Sequence, residues 1–255
     1  MGDWWRDFFD ATYRDLWSAR TTPVRTALDV DGIEEVFSKH GAPSPARIVD
    51  LGCGDGRISV ALAVRGHHVT GLDYSASMLG AARDRAAQFD AQVELVEADV
   101  RDAHRHVTGV DVALSWYTSF GYFDDTADDL AALESARAAL APGGLLLLET
   151  QHRDKVAALH SDMSPQRLYE ERPDGIVLRE LWFDPVRGRA GEHVRQLRAD
   201  GTAEDREFSL RVYSATELVA LCAAAGLTLE AVYGGPGATP FSVSTRLLVV
   251  ARRTA

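Results

Sequence analysis

The stretch Val49-Asp50-Leu51-Gly52-Cys53-Gly54-Asp55-Gly56-Arg57 constrains the fold more than any other part of the chain. Ile48, Val49 and Leu51 close a short apolar run that begins at Ala46, the pattern of a buried strand. Three alternate glycines then let the backbone take positive φ and approach a ligand with no Cβ in the way. From Ile58 and Leu62 the pattern turns helical, so the glycine turn opens onto a helix N-terminus with free N–H groups. Strand, glycine turn and helix in this order make a binding place for a nucleoside-bearing cofactor in an α/β fold. The spacing is G-x-G-x-G rather than G-x-G-x-x-G, which counts against a dinucleotide.

Strand and helix signals alternate on both sides of this turn. A second strand ends at Asp73, and Ser75 caps a helix running to about Gln88. Gln92 to Val96 and Val110 to Trp116 read as strands three and four. Asp124 to Leu140 reads as a helix with an acidic first turn that favours its dipole, and Gly144 to Thr150 as strand five. Ahead of this core, residues 3–19 carry Trp5, Phe8, Phe9, Tyr13, Leu16 and Trp17 at helical spacing. A second helix from Val24 to Lys39 follows the Thr22-Pro23 break. Beyond strand five the alternation stops. Ile176 to Phe183, Glu192 to Leu197 and Glu207 to Tyr213, separated by turn residues, predict an antiparallel meander. Ser214 and Glu217 then form a capping box for a helix ending at Gly226, and 227–233 with 244–251 predict a closing hairpin.

Four pieces of this pattern resemble, in order, the motifs of the class I S-adenosylmethionine (SAM)-dependent methyltransferases. Val49 to Arg57 is similar to the family's glycine motif, and Val69-Thr70-Gly71-Leu72-Asp73-Tyr74-Ser75 to its second strand with a terminal acid. Val96-Glu97-Ala98-Asp99-Val100 is similar to its adenine-contacting loop, and Asp111 to Trp116 to its fourth strand. Pro142-Gly143-Gly144 adds the turn into the fifth. The likeness covers residues 46–150, with a further match near the C-terminus. It implies an α/β fold with a Rossmann-like, seven-stranded, mostly parallel sheet and helices on both faces. Residues 1–45 would form an N-terminal helical lid, 46–150 the SAM-binding core, 151–213 an antiparallel β insertion over the substrate or at a dimer contact, and 214–255 the completion of the core.

The resemblance assigns the cofactor, SAM with S-adenosylhomocysteine as product, to named positions. Asp73 would accept the ribose hydroxyls, the alternative being a turn or capping acid. Asp99 and Val100 would meet the adenine edge, and Met78 either its face or the core. Asp50, Gly52, Cys53, Gly54, Tyr74 and Ser115 would surround the remainder. Tyr13 and Trp17 would close over it from the aromatic N-terminal helix, or else pack on the core.

Methyl transfer needs alignment, desolvation and sometimes a base. The segment Ser115 to Phe123 is aromatic and lacks the Asn/Asp-Pro-Pro-Tyr/Phe signature of amino-methylating nucleic-acid enzymes. Its Ser-Phe-Gly-Tyr-Phe run resembles that of bacterial enzymes acting on amino sugars and other small molecules. His152, just past strand five, is the candidate base, and Tyr122 a candidate for orienting the nucleophile. Tyr117, with His193 and Arg211 in the insertion, are candidates for holding substrate. His104 and His106 do not make a metal site by spacing alone, and none is expected. A net charge of −11 lacks the electrostatic footprint of a nucleic-acid binder. No apolar run nears the ~20 residues of a spanning helix. The expectation is therefore a cytoplasmic enzyme, monomer or homodimer, that methylates an O or N atom of a small metabolite. A protein or RNA acceptor, or SAM binding without transfer, are the alternatives.

Overall fold

The computed structural model, which describes residues 4–17, 21–160 and 165–254, realises most of this alternation. The chain opens with α1 (Trp5–Phe8), α2 (Ala11–Trp17) and α3 (Pro23–His40). The core follows as β1 (Arg47–Leu51), α4 (Arg57–Val64), β2 (His68–Asp73), α5 (Ala76–Gln88), β3 (Val93–Glu97), α6 (Ala103–His106), β4 (Val110–Ser115), α7 (Thr126–Ala139) and β5 (Leu140–Thr150). Then come α8 (Arg153–Leu159), the strands β6 (Gln166–Arg172), β7 (Gly175–Asp184), β8 (Arg189–Arg198) and β9 (Ala203–Arg211), and finally α9 (Ala215–Ala224), β10 (Thr228–Tyr233) and β11 (Leu247–Arg252).

Seven strands form one sheet in the order β10-β11-β5-β4-β1-β2-β3. β1 to β5 run parallel, and β11 pairs antiparallel with both β5 and β10. The leucines of β5 show why the sheet must be covered twice. Leu145 and Leu147 pack with Ile33, Phe37, Ile58 and Leu62 of α3 and α4, while Leu146 and Leu148 pack with Leu133, Ala136 and Leu218 of α7 and α9. A strand apolar at consecutive positions is stable only with both faces buried. The order reverses between β1 and β4, where helices leave in opposite directions and a crevice opens at the strands' C-terminal ends.

The caps expected from the sequence are present. Ser75 accepts from the Met78 N–H, and Ser214 and Glu217 form a reciprocal capping box on α9. Three departures have local causes. The single helix expected over residues 3–19 breaks at Phe9, because the Asp10 carboxylate accepts the Tyr13 N–H at 2.8 Å and starts α2 afresh. The meander has four strands rather than three, in the order β6-β7-β8-β9. β6 escapes the eye because six of its seven residues are exposed, which erases any alternation. α8, equally unforeseen, starts at His152 with no side-chain cap. Among the described residues, no helix is long and apolar enough to cross a membrane.

Candidate active site

The crevice at the switch point is a cavity walled by the glycine turn, the ends of β2 and β4, the turn after β3, and the N-terminal helices. At Gly52 the backbone turns with φ +71°, and an added Cβ would lie 2.9 Å from the Ser119 Cβ, so this position needs glycine twice over. The Gly52 N–H donates to the Leu72 carbonyl at 2.8 Å, tying the turn to β2. Asp73 reinforces that tie: one carboxylate oxygen accepts the Gly54 N–H and the other the Ser75 N–H, each at 2.8 Å. Burial raises its pKa against these bonds. Asp50 lies deeper in the same wall and accepts the Ser59 hydroxyl at 2.5 Å. Burial pushes its pKa up to about 6, and the neighbouring Asp73 charge pushes the same way.

Asp99 caps a 3-10 turn, Val100–Asp102, by accepting the Arg101 N–H at 2.9 Å. Burial alone would raise its pKa, but the Arg101 guanidinium on both its oxygens (3.0 and 2.6 Å) holds it below the usual carboxylate range. Arg101 also stacks 4.6 Å from the Phe123 ring centroid, which joins the turn to the aromatic wall.

That wall is the segment after β4. Tyr117 (φ +58°) and Thr118 (φ +69°) both adopt a left-handed conformation costly for non-glycine residues. The turn is held from β5, where the Glu149 carboxylate accepts the Tyr117 N–H at 2.9 Å and its carbonyl accepts the Thr118 N–H at 3.2 Å. Opposite, the N-terminal segment presents Trp5, Phe9 and Tyr13 to the cavity. Phe9 meets Tyr13 and Tyr122 edge-on at 4.8 and 5.1 Å, and Ser75 donates to the Phe9 carbonyl at 2.5 Å, seating the break between α1 and α2 over α5.

The Methyltransferase domain family matches residues 48–144. A putative methyltransferase of Bacillus subtilis, YqeM, is 30% identical over 185 residues, 67% of this chain and 71% of the relative. The chain belongs to the SAM-dependent methyltransferases. This methyltransferase also shares 27% identity over 154 residues with a ubiquinone biosynthesis O-methyltransferase of Aeromonas salmonicida, 60% of this chain and 63% of the relative. Its fold is that of the sugar N-methyltransferase KedS8 from a Streptoalloteichus species, with TM-score 0.72, 20% identity and coverage of 98% and 95% of the two chains.

The cofactor of this methyltransferase is SAM, and the cavity wall fits the parts of that molecule. A carboxylate with free lone pairs, Asp73, suits a ribose diol. Met78, Asp99 and Val100 offer a soft face and a polar edge for a purine. The glycine turn with Asp50 leaves room for the amino-acid tail. Among the residues singled out from the sequence, Tyr13, Asp50, Gly52, Cys53, Gly54, Asp73, Tyr74, Met78, Asp99, Val100, Tyr117 and Tyr122 all line this one cavity. Ser115 does not: it is buried at the end of β4, and the wall begins one residue later at Trp116. The Trp17 side chain lies outside the described residues.

Three substrate-side expectations need correction. His152 is fully buried away from the cavity lining, with Nε2 paired to the Thr245 carbonyl at 3.1 Å and the ring 5.1 Å from Phe241. Burial lowers its pKa and keeps the imidazole neutral, yet it has no opening to a substrate. His193 sits exposed on β8, in register between Glu180 and Glu207. The Arg211 side chain donates to the Arg187 carbonyl at 3.2 Å and lines a separate recess with Arg153 and Arg187. Its backbone does reach the site segment, because its N–H donates to the Gly121 carbonyl at 2.7 Å. Sequence reading missed Trp5, Phe9 and Arg57 as cavity residues. Arg57 carried a signal, standing directly after the glycine motif.

Proposed function

We propose that this methyltransferase moves the methyl group to an oxygen or nitrogen of a small metabolite. One observation carries the reading: the cavity beyond the glycine turn is lined by Trp5, Phe9 and Tyr13 on one side and by Phe120, Tyr122 and Phe123 on the other, a concave and largely aromatic site. Such a site suits a compact acceptor, since concave, mostly apolar sites with few polar groups bind small molecules. The printed name of the Aeromonas relative, an O-methyltransferase of ubiquinone biosynthesis, supports the same class. A net charge of −11 speaks against a nucleic-acid partner. The same reading places the enzyme in the cytoplasm, acting as a monomer or homodimer.

SAM when bound supplies an activated methyl on a sulfonium, with a neutral thioether as leaving group. The chain's residues align and dry the site. Trp5, Phe9 and the Trp116–Phe123 segment exclude water, which strengthens every polar contact inside. Tyr122 is an orienting hydrogen-bond donor rather than a base, because burial drives its pKa up and keeps the phenol protonated. Alignment and desolvation are the contributions that these lining residues make to the rate.

The test is label transfer from methyl-labelled SAM into an extract of the source cells, separated into small-molecule, protein and RNA fractions. Label in the small-molecule fraction supports the reading, and mass spectrometry of that product names the acceptor. Label confined to protein or RNA overturns it.

A further inference from the structure

β6 is an edge strand that nothing in its sequence blunts. It lies outermost in the small sheet and pairs only with β7 among the described residues. Its seven residues keep one register against β7, with no bulge. Soluble proteins usually blunt such edges with proline, lysine, a bulge or brevity, because a bare row of N–H and C=O groups is a template for another strand. β6 holds no proline and no lysine, and leaves Leu168 52% and Tyr169 67% exposed.

The two faces of the strand differ. Leu168 and Glu170 stand opposite Arg179 and Val177, which are buried toward α2. Arg167, Tyr169 and Glu171 stand opposite Glu180, Leu178 and Ile176 on the outer face. Leu178 and Ile176 are exposed as well, so with Tyr169 they make an apolar strip beside the edge. Arg167 reaches Glu180 at 2.8 Å in an exposed pair of little worth. Glu171 meets the Tyr169 hydroxyl at 3.4 Å and no cation among the described residues.

The order of these charges identifies the partner. If two copies of β6 pair antiparallel about a two-fold axis normal to the sheet, outer-face residues stay opposite outer-face residues. With the axis at Tyr169, Arg167 of each copy faces Glu171 of the other, and the two tyrosines meet. With the axis at Leu168 or Glu170 no opposite charges face each other. We propose that this chain self-associates through β6, two copies pairing about Tyr169 and joining two four-stranded sheets into one of eight. Arg172, the last residue of β6, holds the Asp15 and Leu16 carbonyls at the end of α2, at 3.2 and 3.1 Å. The paired strand therefore also steadies the helix that presents Tyr13 to the cavity. None of this depends on the identity of the methyl acceptor.

Sedimentation velocity over a concentration series, on the full chain and its charge variants, tests the proposal. The wild type should pass from monomer to dimer as concentration rises. R167E and E171R each place like charges opposite one another at two symmetric positions, and should weaken the dimer by about tenfold. R167E/E171R exchanges the charges and should restore it. That recovery also excludes a folding defect as the cause of the loss, because the double variant carries both changes. Mixing the two single variants should give a heterodimer, since every charge at these positions then faces its opposite. A wild type that stays monomeric throughout overturns the proposal and leaves the edge to the strand of a different protein. Single variants that dimerise like the wild type, or a double variant no better than the single ones, overturn it as well.

Discussion

Glu149 and Arg246 form a buried ion pair that holds a strained turn of the cavity wall. Glu149, only 1% exposed, is engaged by Nε and Nη2 of Arg246, the latter at 2.9 Å, and accepts the Tyr117 N–H. Arg246 Nη2 also donates to the Thr118 hydroxyl at 2.6 Å. The pair therefore binds both positive-φ residues of this turn, Tyr117 and Thr118, and connects β5 and the approach to β11 with the aromatic cavity wall.

Removing one partner should be worse than removing both. Glu149→Ala strands a buried guanidinium and frees the turn, and should cost about 3–5 kcal/mol of stability. E149L/R246L should recover a large part of that loss while leaving the Tyr117 turn unanchored. Denaturant melts check the stability order. In the folded double variant, turnover should fall more than cofactor affinity, because the turn positions the acceptor side.

Asp73 braces the glycine turn, and we propose that it also accepts the cofactor's ribose hydroxyls, so its substitutions should separate the two roles. Asp73→Ala should weaken SAM binding by roughly 1.5–3 kcal/mol, from lost charge-assisted bonds. It should also lower stability, because the Gly54 and Ser75 N–H groups lose their acceptor. Asp73→Asn keeps one accepting oxygen and should fall between. Calorimetry showing wild-type SAM affinity for the alanine variant would remove Asp73 from the cofactor site.

Asp129 makes stability depend on pH with a definite sign. It lies buried in α7, with one oxygen accepting the Tyr213 hydroxyl at 2.5 Å and the other unpaired among the described residues. Burial outweighs the Tyr213 bond and pushes its pKa up to about 6 from 3.8. A raised folded pKa stabilises the protein fully below pH 3.8 and loses that contribution as pH rises through 6. Relative to Asp129→Asn, the wild type should therefore lose on the order of 2–3 kcal/mol across that window. Urea melts of both proteins at intervals between those values read the difference. Comparison with the variant matters because Asp50 titrates in the same window.

His152 should behave as a structural residue. Its Nε2 bond to Thr245 and its packing on Phe241 fix the start of α8 against the segment before β11. His152→Ala should cost about 2–4 kcal/mol, a cavity plus a lost buried bond, and leave turnover per folded molecule unchanged. Turnover normalised to SAM-binding sites distinguishes this from the basic role that its place after the fifth strand suggests in sequence.

The contrast between Asp73 and His152 shows what the sequence makes legible. The glycine turn, Asp73 and Asp99 are local: strand ends and turns fix where they point, and a linear motif carries them. The five parallel strands are legible for the same reason, since leucines on both faces leave one packing solution. His152 stands at the correct end of its strand, but whether it faces solvent depends on Phe241 and Thr245, about ninety residues away. Arg57 shows the opposite case. The motif draws the eye to its glycines, while the demand on the arginine comes from Asp29 and Tyr117 on other elements. β6 is hidden because its partner strand, rather than its own pattern, makes it a strand.

The lid should be tuned from the small sheet. Arg206 on β9 reaches α1 and α2, pairing with Asp10 at 2.5 Å and donating to the Phe8 carbonyl at 3.1 Å. Arg172 and Arg179 donate to the Leu16 carbonyl at 3.1 and 2.8 Å, satisfying the C-terminal end of α2. The aromatic roof is thus clamped by arginines that never touch the cavity. Arg206→Ala removes one clamp at a partly exposed pair, worth up to about 1 kcal/mol, or roughly fivefold in the lid's closing equilibrium. Protease cleavage within residues 5–17 should speed up in the variant and slow when S-adenosylhomocysteine is added. The ligand's dissociation rate should rise by a similar factor with little change in association. Equal cleavage and dissociation rates in the two proteins would mean that α1 and α2 are held by their aromatic contacts alone.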